Sequence, residues 1–190
     1  MKRLAPLLLV LGGCATTAPP AWVPTTSPYV ARTGQFQVEL PDGWMRRDIR
    51  ERELLLVTRD GTAVQRILAG ASELGKPFGG TQRAVVSGMT PQDAGAVVLE
   101  DLNASKGWTD IRVLENAPAT LSSRTGFRLL AAYKDEDGLK MRLVVYGLVA
   151  EPRFYWLVYM APERHYFDLD LPTFEELVKS FRVQAPPPAA

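Results

Sequence analysis

The chain has 190 residues, 22 basic against 21 acidic, with one histidine, one cysteine and 46% hydrophobic residues. That apolar fraction excludes a disordered chain, and a net charge of +1 excludes a general nucleic-acid binder. One cysteine cannot close an intramolecular disulfide or build a cysteine zinc cluster, and one histidine cannot build a multi-histidine metal site.

The N-terminus reads MKRLAPLLLVLGGC. Lys2 and Arg3 make a basic start, and residues 4–11 make an apolar run. That run falls well below the roughly 20 residues of a spanning helix and has the length of a signal-peptide core. Leu11-Gly12-Gly13-Cys14 resembles the bacterial lipobox, which implies cleavage between Gly13 and Cys14 and lipidation of Cys14 with diacylglycerol and a further acyl chain such as palmitate. Small residues before the cut fit a narrow protease site, and a thiol is the nucleophile that lipid transfer needs. Several acyl chains anchor a protein stably. Ala15 is not the Asp that retains such proteins in the inner membrane of Gram-negative bacteria, so the outer membrane, on its periplasmic face, is expected. Loss of residues 1–13 removes two basic residues and no acid; the 22 basic residues become 20 against 21 acids, a net charge of −1.

Four segments follow: a signal peptide at 1–13, a flexible tether at 14–33, one folded domain at 34–184 and a disordered tail at 185–190. The tether is predicted from Pro19, Pro20, Pro24 and Pro28 and from the lack of any helical or strand period. It contains Trp22 and Tyr29, where nothing requires burial and contact with a partner or the membrane interface is open to them. The tail is APPPAA.

Within the domain, Phe36, Val38 and Leu40 alternate with polar residues and predict a half-buried strand ending at Pro41-Asp42-Gly43-Trp44. Strands are expected at 54–58 and 65–71. A helix follows, with Thr90 as N-cap, Pro91 at its first position, a stripe of Ala94, Val97, Val98 and Leu102, and Gly107 beyond its end. Residues 111–117 and 127–133 read as strands, and Asp135-Glu136-Asp137-Gly138 turns the chain into another at 139–149. Residues 154–160 are apolar on both faces and predict a central strand covered above and below. The last helix is placed after Pro172, with Phe174, Leu177, Val178 and Phe181 on one face. The sum is an α+β sandwich, a central, mainly antiparallel sheet of about seven strands with helices packed on its faces.

This order resembles the PsbP-like superfamily, which includes a luminal photosystem II subunit, a Ran-binding nuclear transport factor and many bacterial lipoproteins. The resemblance is carried by GQFQVELPDGW at 34–44, by FEELVKSFRV at 174–183 and by the strand–helix–strand order between them. It implies the same sandwich and a binding or assembly role without catalysis. No residue ties this chain to the photosystem or to Ran.

No catalytic, cofactor-binding or metal-ligating set emerges. Gly70-Ala71-Ser72-Glu73-Leu74-Gly75-Lys76 has phosphate-loop spacing, but Pro77 replaces the magnesium-binding hydroxyl and Gly79-Gly80 blocks the helix, so a mobile glycine-rich loop is expected. His165 reads as a surface residue, Asp135, Glu136 and Asp137 as a solvated turn, and Phe154, Tyr155, Trp156 and Tyr159 as core. Arg46, Arg47, Arg50 and Arg52 form a basic run interleaved with Asp48, Glu51 and Glu53, a solvated face that could also meet lipid headgroups or an acidic partner. The expectation is a non-enzymatic, lipid-anchored envelope module, bound to the membrane through Cys14 and to a protein partner, with no cofactor and no nucleic acid. One alternative is a periplasmic carrier of a small apolar ligand or lipid. A further one is a hydrolase around Ser122, Ser123 or His165.

Overall fold

A computed structural model describes residues 21–33, 35–49, 53–104 and 106–184 of the chain. The lipobox with Gly13 and Cys14, the tail at 185–190, Arg50 and Arg52 lie outside the described residues.

Eleven strands and two helices alternate along the described chain: β1 (Val23–Pro24), β2 (Tyr29–Val30), β3 (Phe36–Val38), β4 (Met45–Ile49), β5 (Leu54–Thr58), β6 (Arg66–Glu73), α1 (Pro91–Asn103), β7 (Thr109–Leu121), β8 (Arg124–Lys134), β9 (Lys140–Ala150), β10 (Arg153–Pro162), α2 (Tyr166–Ser180) and β11 (Arg182–Val183). Eight form one antiparallel sheet in the order β1-β4-β5-β6-β10-β9-β8-β7, and β11-β3-β2 form a second. The expected α+β sandwich is therefore what the chain builds, with eight strands in its main sheet and a small second sheet besides.

Each face of the large sheet buries its own core. On one side Phe36, Trp44, Tyr155, Tyr159, Phe167, Phe174 and Phe181 pack between the large sheet, α2 and the small sheet. The α2 stripe read from the sequence, Phe174, Leu177, Val178 and Phe181, is buried there. On the other side Val97 of α1 packs on Phe127, Leu129, Leu143 and Phe154. β10 lies between β6 and β9, near the middle of the sheet, and carries side chains into both cores, as its two apolar faces require.

Helix α1 starts where capping chemistry predicts. The Thr90 hydroxyl accepts the amide of Asp93, and Pro91 occupies the first turn, where its missing N–H costs nothing. Helix α2 corrects the expectation: it begins at Tyr166 and runs through Pro172. Its opening turns are stabilised by packing of Phe167 and pairing of Asp170 rather than by a side-chain cap, so the proline lies inside the helix and does not mark its start.

The segment predicted as tether is also corrected from residue 21 onward. β1 pairs with β4, and β2 pairs with β3. Between them, the Thr25 hydroxyl donates to the Pro41 carbonyl at 2.6 Å, and Ser27 exchanges hydrogen bonds with the Leu40 carbonyl and amide. Ala31 is buried. Strands of two residues carry no period, and prolines are tolerated at a sheet edge, so composition alone read this stretch as unstructured.

Candidate functional site

A recess on the α1 face of the large sheet is shaped by glycines. Cross-strand register sets Ile49, Leu54, Gly70, Trp156, Gly147, Phe127 and Pro118 in one row across seven strands. Directly opposed residues project to the same face, so a glycine in the row leaves a gap that its neighbour can enter. Trp156 lies across Gly70: a β-carbon there would approach the indole Cζ2 to 2.7 Å. Phe127 lies across Gly147 in the same way.

The result is a groove of about 760 Å³. Its floor is Phe154, Trp156, Val158 and Val145, and Val98 and Leu102 of α1 form one wall. The opposite wall is Phe78, which meets Phe154 edge-on with ring centroids 6.2 Å apart. Charged residues ring the mouth: Glu53, Glu73, Lys76, Asp101 and Arg153, with Arg153 and Glu53 paired at 3.6 Å. An apolar floor with a polar rim is the usual composition of a small-molecule site.

The loop predicted to be mobile is the wall of this groove, and its backbone is tied down. Leu74 donates to Pro152, Gly75 to Val85 and Phe78 to Arg83. The Asp101 carboxylate accepts the amides of Gly80 and Thr81, which fastens the loop to α1. Gly70 and Ala71 belong to β6, so the phosphate-loop spacing is a strand followed by a turn, without the helix N-terminus that would face a phosphate.

A second, smaller hollow of about 430 Å³ separates the small sheet from β4 and β5. Tyr29, Phe36, Arg46 and Asp48 line it. Here Tyr29 donates to Asp48 at 2.8 Å, and Arg46 both pairs with Asp48 and covers the Tyr29 ring. Burial, aided by that carboxylate, raises the Tyr29 phenol well above its ordinary value.

The other sequence-nominated residues are dispersed. His165 precedes α2 with φ +74° and stands edge-on to Tyr166. Ser122 and Ser123 form the β7–β8 turn at positive φ, and Ser122 accepts the amide of Val183 beyond the far end of α2. A helix of 15 residues spans about 22 Å, so the histidine and the serines sit at opposite ends of it. Asp135 accepts the amides of Asp137 and Leu139 and closes its own turn. Phe154, Tyr155 and Tyr159 are core as expected, but Trp156 is half-buried and faces the groove.

Two polar clusters join α2 to the sheet. Asp170, 2% exposed, pairs with Arg59 at 2.8 Å and accepts from Gln65 at 3.1 Å. Arg128 pairs with Glu115 at 2.6 Å and lies 3.5 Å from Glu175, which also accepts the Tyr146 hydroxyl at 2.7 Å. Burial first, and the Glu175 carboxylate second, raise the Tyr146 phenol well above its ordinary value, so it remains a neutral donor.

No family model and no curated protein matches the sequence. Solved structures do match the fold. Cyanobacterial PsbP (CyanoP) from Synechocystis sp. PCC 6803 superposes with a TM-score of 0.60 at 13% identity, over 91% of this chain and 98% of its own. LpqN, described as involved in cell envelope biogenesis of Mycobacterium tuberculosis, gives a TM-score of 0.57 at 12% identity, over 86% and 92%. The Ran-binding protein Mog1p of Saccharomyces cerevisiae gives a TM-score of 0.56 at 12% identity, over 85% and 96%. Identities this low speak to architecture and not to activity. The chain has the PsbP-like fold.

Proposed function

We propose that this protein is a lipid-anchored, non-catalytic binding module of the bacterial cell envelope, held at Cys14 on the periplasmic face of the outer membrane. The observation that carries the reading is the pattern Leu11-Gly12-Gly13-Cys14, with six residues between it and the first described residue, Ala21. A signal of that form delivers a thiol for lipid attachment, and a domain follows after a short connection. The similarly folded LpqN is described as involved in envelope biogenesis, which is consistent with such a role. In the two polar clusters the charged groups join one element to another: Asp170 and Arg59 join α2 to the β5–β6 turn, and Arg128 joins β7, β8 and α2. Replacing Cys14 with Ala should move the protein from the membrane fraction to the soluble fraction of fractionated cells. Unchanged membrane association would overturn the anchor.

The groove favours a second reading, a carrier of a small apolar ligand or lipid. Its floor of Phe154, Trp156, Val158 and Val145 offers burial to an apolar chain, and its rim offers both signs of charge to a polar head. Native mass spectrometry of the protein purified from its own membranes should then show an added mass that Val98→Trp, which fills the groove, abolishes. A clean unliganded mass before any substitution counts against the carrier.

A further inference from the structure

The described residues begin at Ala21, closer to Cys14 than the proline content suggests. Between Cys14 and Ala21 there are seven peptide steps, and at no more than about 3.6 Å each they reach at most ~25 Å. The first element after them, β1, is one edge of the large sheet, and β7 is the other. Eight strands at a spacing of about 4.8 Å separate these edges by roughly 34 Å. An anchor at Cys14 therefore keeps the β1 edge beside the bilayer while the β7 edge is free to stand away from it.

The β1 edge carries groups suited to that position. Trp22 is half-buried, with the Arg47 guanidinium over its ring at 5.0 Å. Among the described residues Arg47 has neither an ion pair nor a hydrogen bond through its side chain, and its buried Nε is without a partner, as is that of Arg46. Ala21, Val23 and Pro24 of the same edge are exposed. Among the described residues the charged groups here are Arg32, Arg46 and Arg47 against Asp42, Asp48 and Glu53; Asp48 is already held by Arg46 and Tyr29, and Glu53 by Arg153, which leaves Arg32 and Arg47 against Asp42. The edge thus has a cationic surplus, an exposed apolar strand and an indole. Tryptophan prefers the headgroup layer, and a guanidinium binds phosphate through a planar pair of donors. Attraction to an anionic bilayer acts only within about a Debye length of it, and a connection this short leaves the edge free to come within that range.

We propose that the β1–β4 edge docks on the bilayer that holds the anchor, with Trp22 in the headgroup layer and Arg47 on the phosphate of anionic phospholipid. This rests on the reading of Cys14 as lipidated. Docking fixes the orientation of the domain, edge-on, with β7 outermost.

Because lipid consumes the only native cysteine, a new one can be labelled alone. The lipidated full chain would be prepared with Val23→Cys or with Leu114→Cys, both exposed and on opposite edges. Each is coupled to a fluorophore and placed on vesicles of phosphatidylethanolamine and phosphatidylglycerol that carry a headgroup quencher. The label at residue 23 should be quenched at least about threefold more than that at 114, and Arg47→Glu should reduce the difference without changing co-sedimentation with vesicles. Equal quenching at the two edges, stronger quenching at 114, or no effect of Arg47→Glu would overturn the docking surface. Failure of the wild-type chain to sediment with vesicles would instead overturn the anchor, and the docking proposal with it.

Discussion

Alanine at Gly126 should lower the stability of the folded domain by about 3 kcal/mol or more, read as a drop in the urea midpoint at unchanged slope. A β-carbon at this position would fall well inside van der Waals contact of the Gly147 carbonyl oxygen, with the Leu148 Cα at 3.4 Å behind it. The obstacle is backbone of β9, which is bonded on one side to β8 and on the other to β10, so it cannot retreat without breaking a ladder. Gly147→Ala meets a different obstacle, the rim of the Phe127 ring and the edge of Phe154. Side chains can shift in part, and the expected cost is lower, about 2 kcal/mol, with Phe127 displaced from its stacking on Phe154 at 6.2 Å. Gly43→Ala gives the reference for backbone conformation alone: its φ is +75° and nothing lies within 4 Å of a β-carbon there, so about 1 kcal/mol is expected. The order Gly126, Gly147, Gly43 is the prediction. A cost at Gly126 no larger than that at Gly43 would refute the close approach of β8 to β9.

These glycines also show where sequence reading stops. β10 and the stripe of α2 were legible because apolar residues recur there with a strand or helix period, and the start of α1 was legible because Thr90 and Pro91 carry local capping chemistry. β1, β2 and β11 were not, since two residues make no period and their stability comes from partners distant in sequence. β4 read as a solvated basic run. Its arginines do alternate between faces, but they lie on the aromatic rings of Trp22 and Tyr29, a placement that only the fold of residues 21–33 creates. The groove was half visible. Phe154 and Trp156 stood out within an apolar strand, yet what turns Trp156 from core into floor is Gly70, opposite it in a strand more than 80 residues earlier. In sequence that glycine belonged to a loop motif, and its structural meaning depends on the β6–β10 register.

The buried charge on α2 leads to the second large effect, and its sign separates two accounts of the pair. Asp170 is 2% exposed, whereas the Arg59 side chain is 35% exposed and also contacts Asp60 at 2.9 Å and covers the Trp44 ring. If the pair were an ordinary surface bridge, removing either member would change stability by less than about 1 kcal/mol. Burial of the acid makes the outcome unequal. Arg59→Ala leaves a carboxylate in the core with Gln65, at 3.1 Å, as its one remaining side-chain donor among the described residues, and should cost about 3 kcal/mol. Asp170→Ala leaves an arginine that can turn to water and to Asp60, and should cost less, about 2 kcal/mol, much of it from the gap left beside α2. Removing both should cost less than the sum of the two by more than about 1 kcal/mol, because the penalty of the stranded carboxylate disappears with the carboxylate. Denaturant titration of the two single variants and the double variant closes the cycle. Additive costs, or a larger loss for Asp170→Ala than for Arg59→Ala, would show that the burial of Asp170 is not what fastens the start of α2 to the β5–β6 turn.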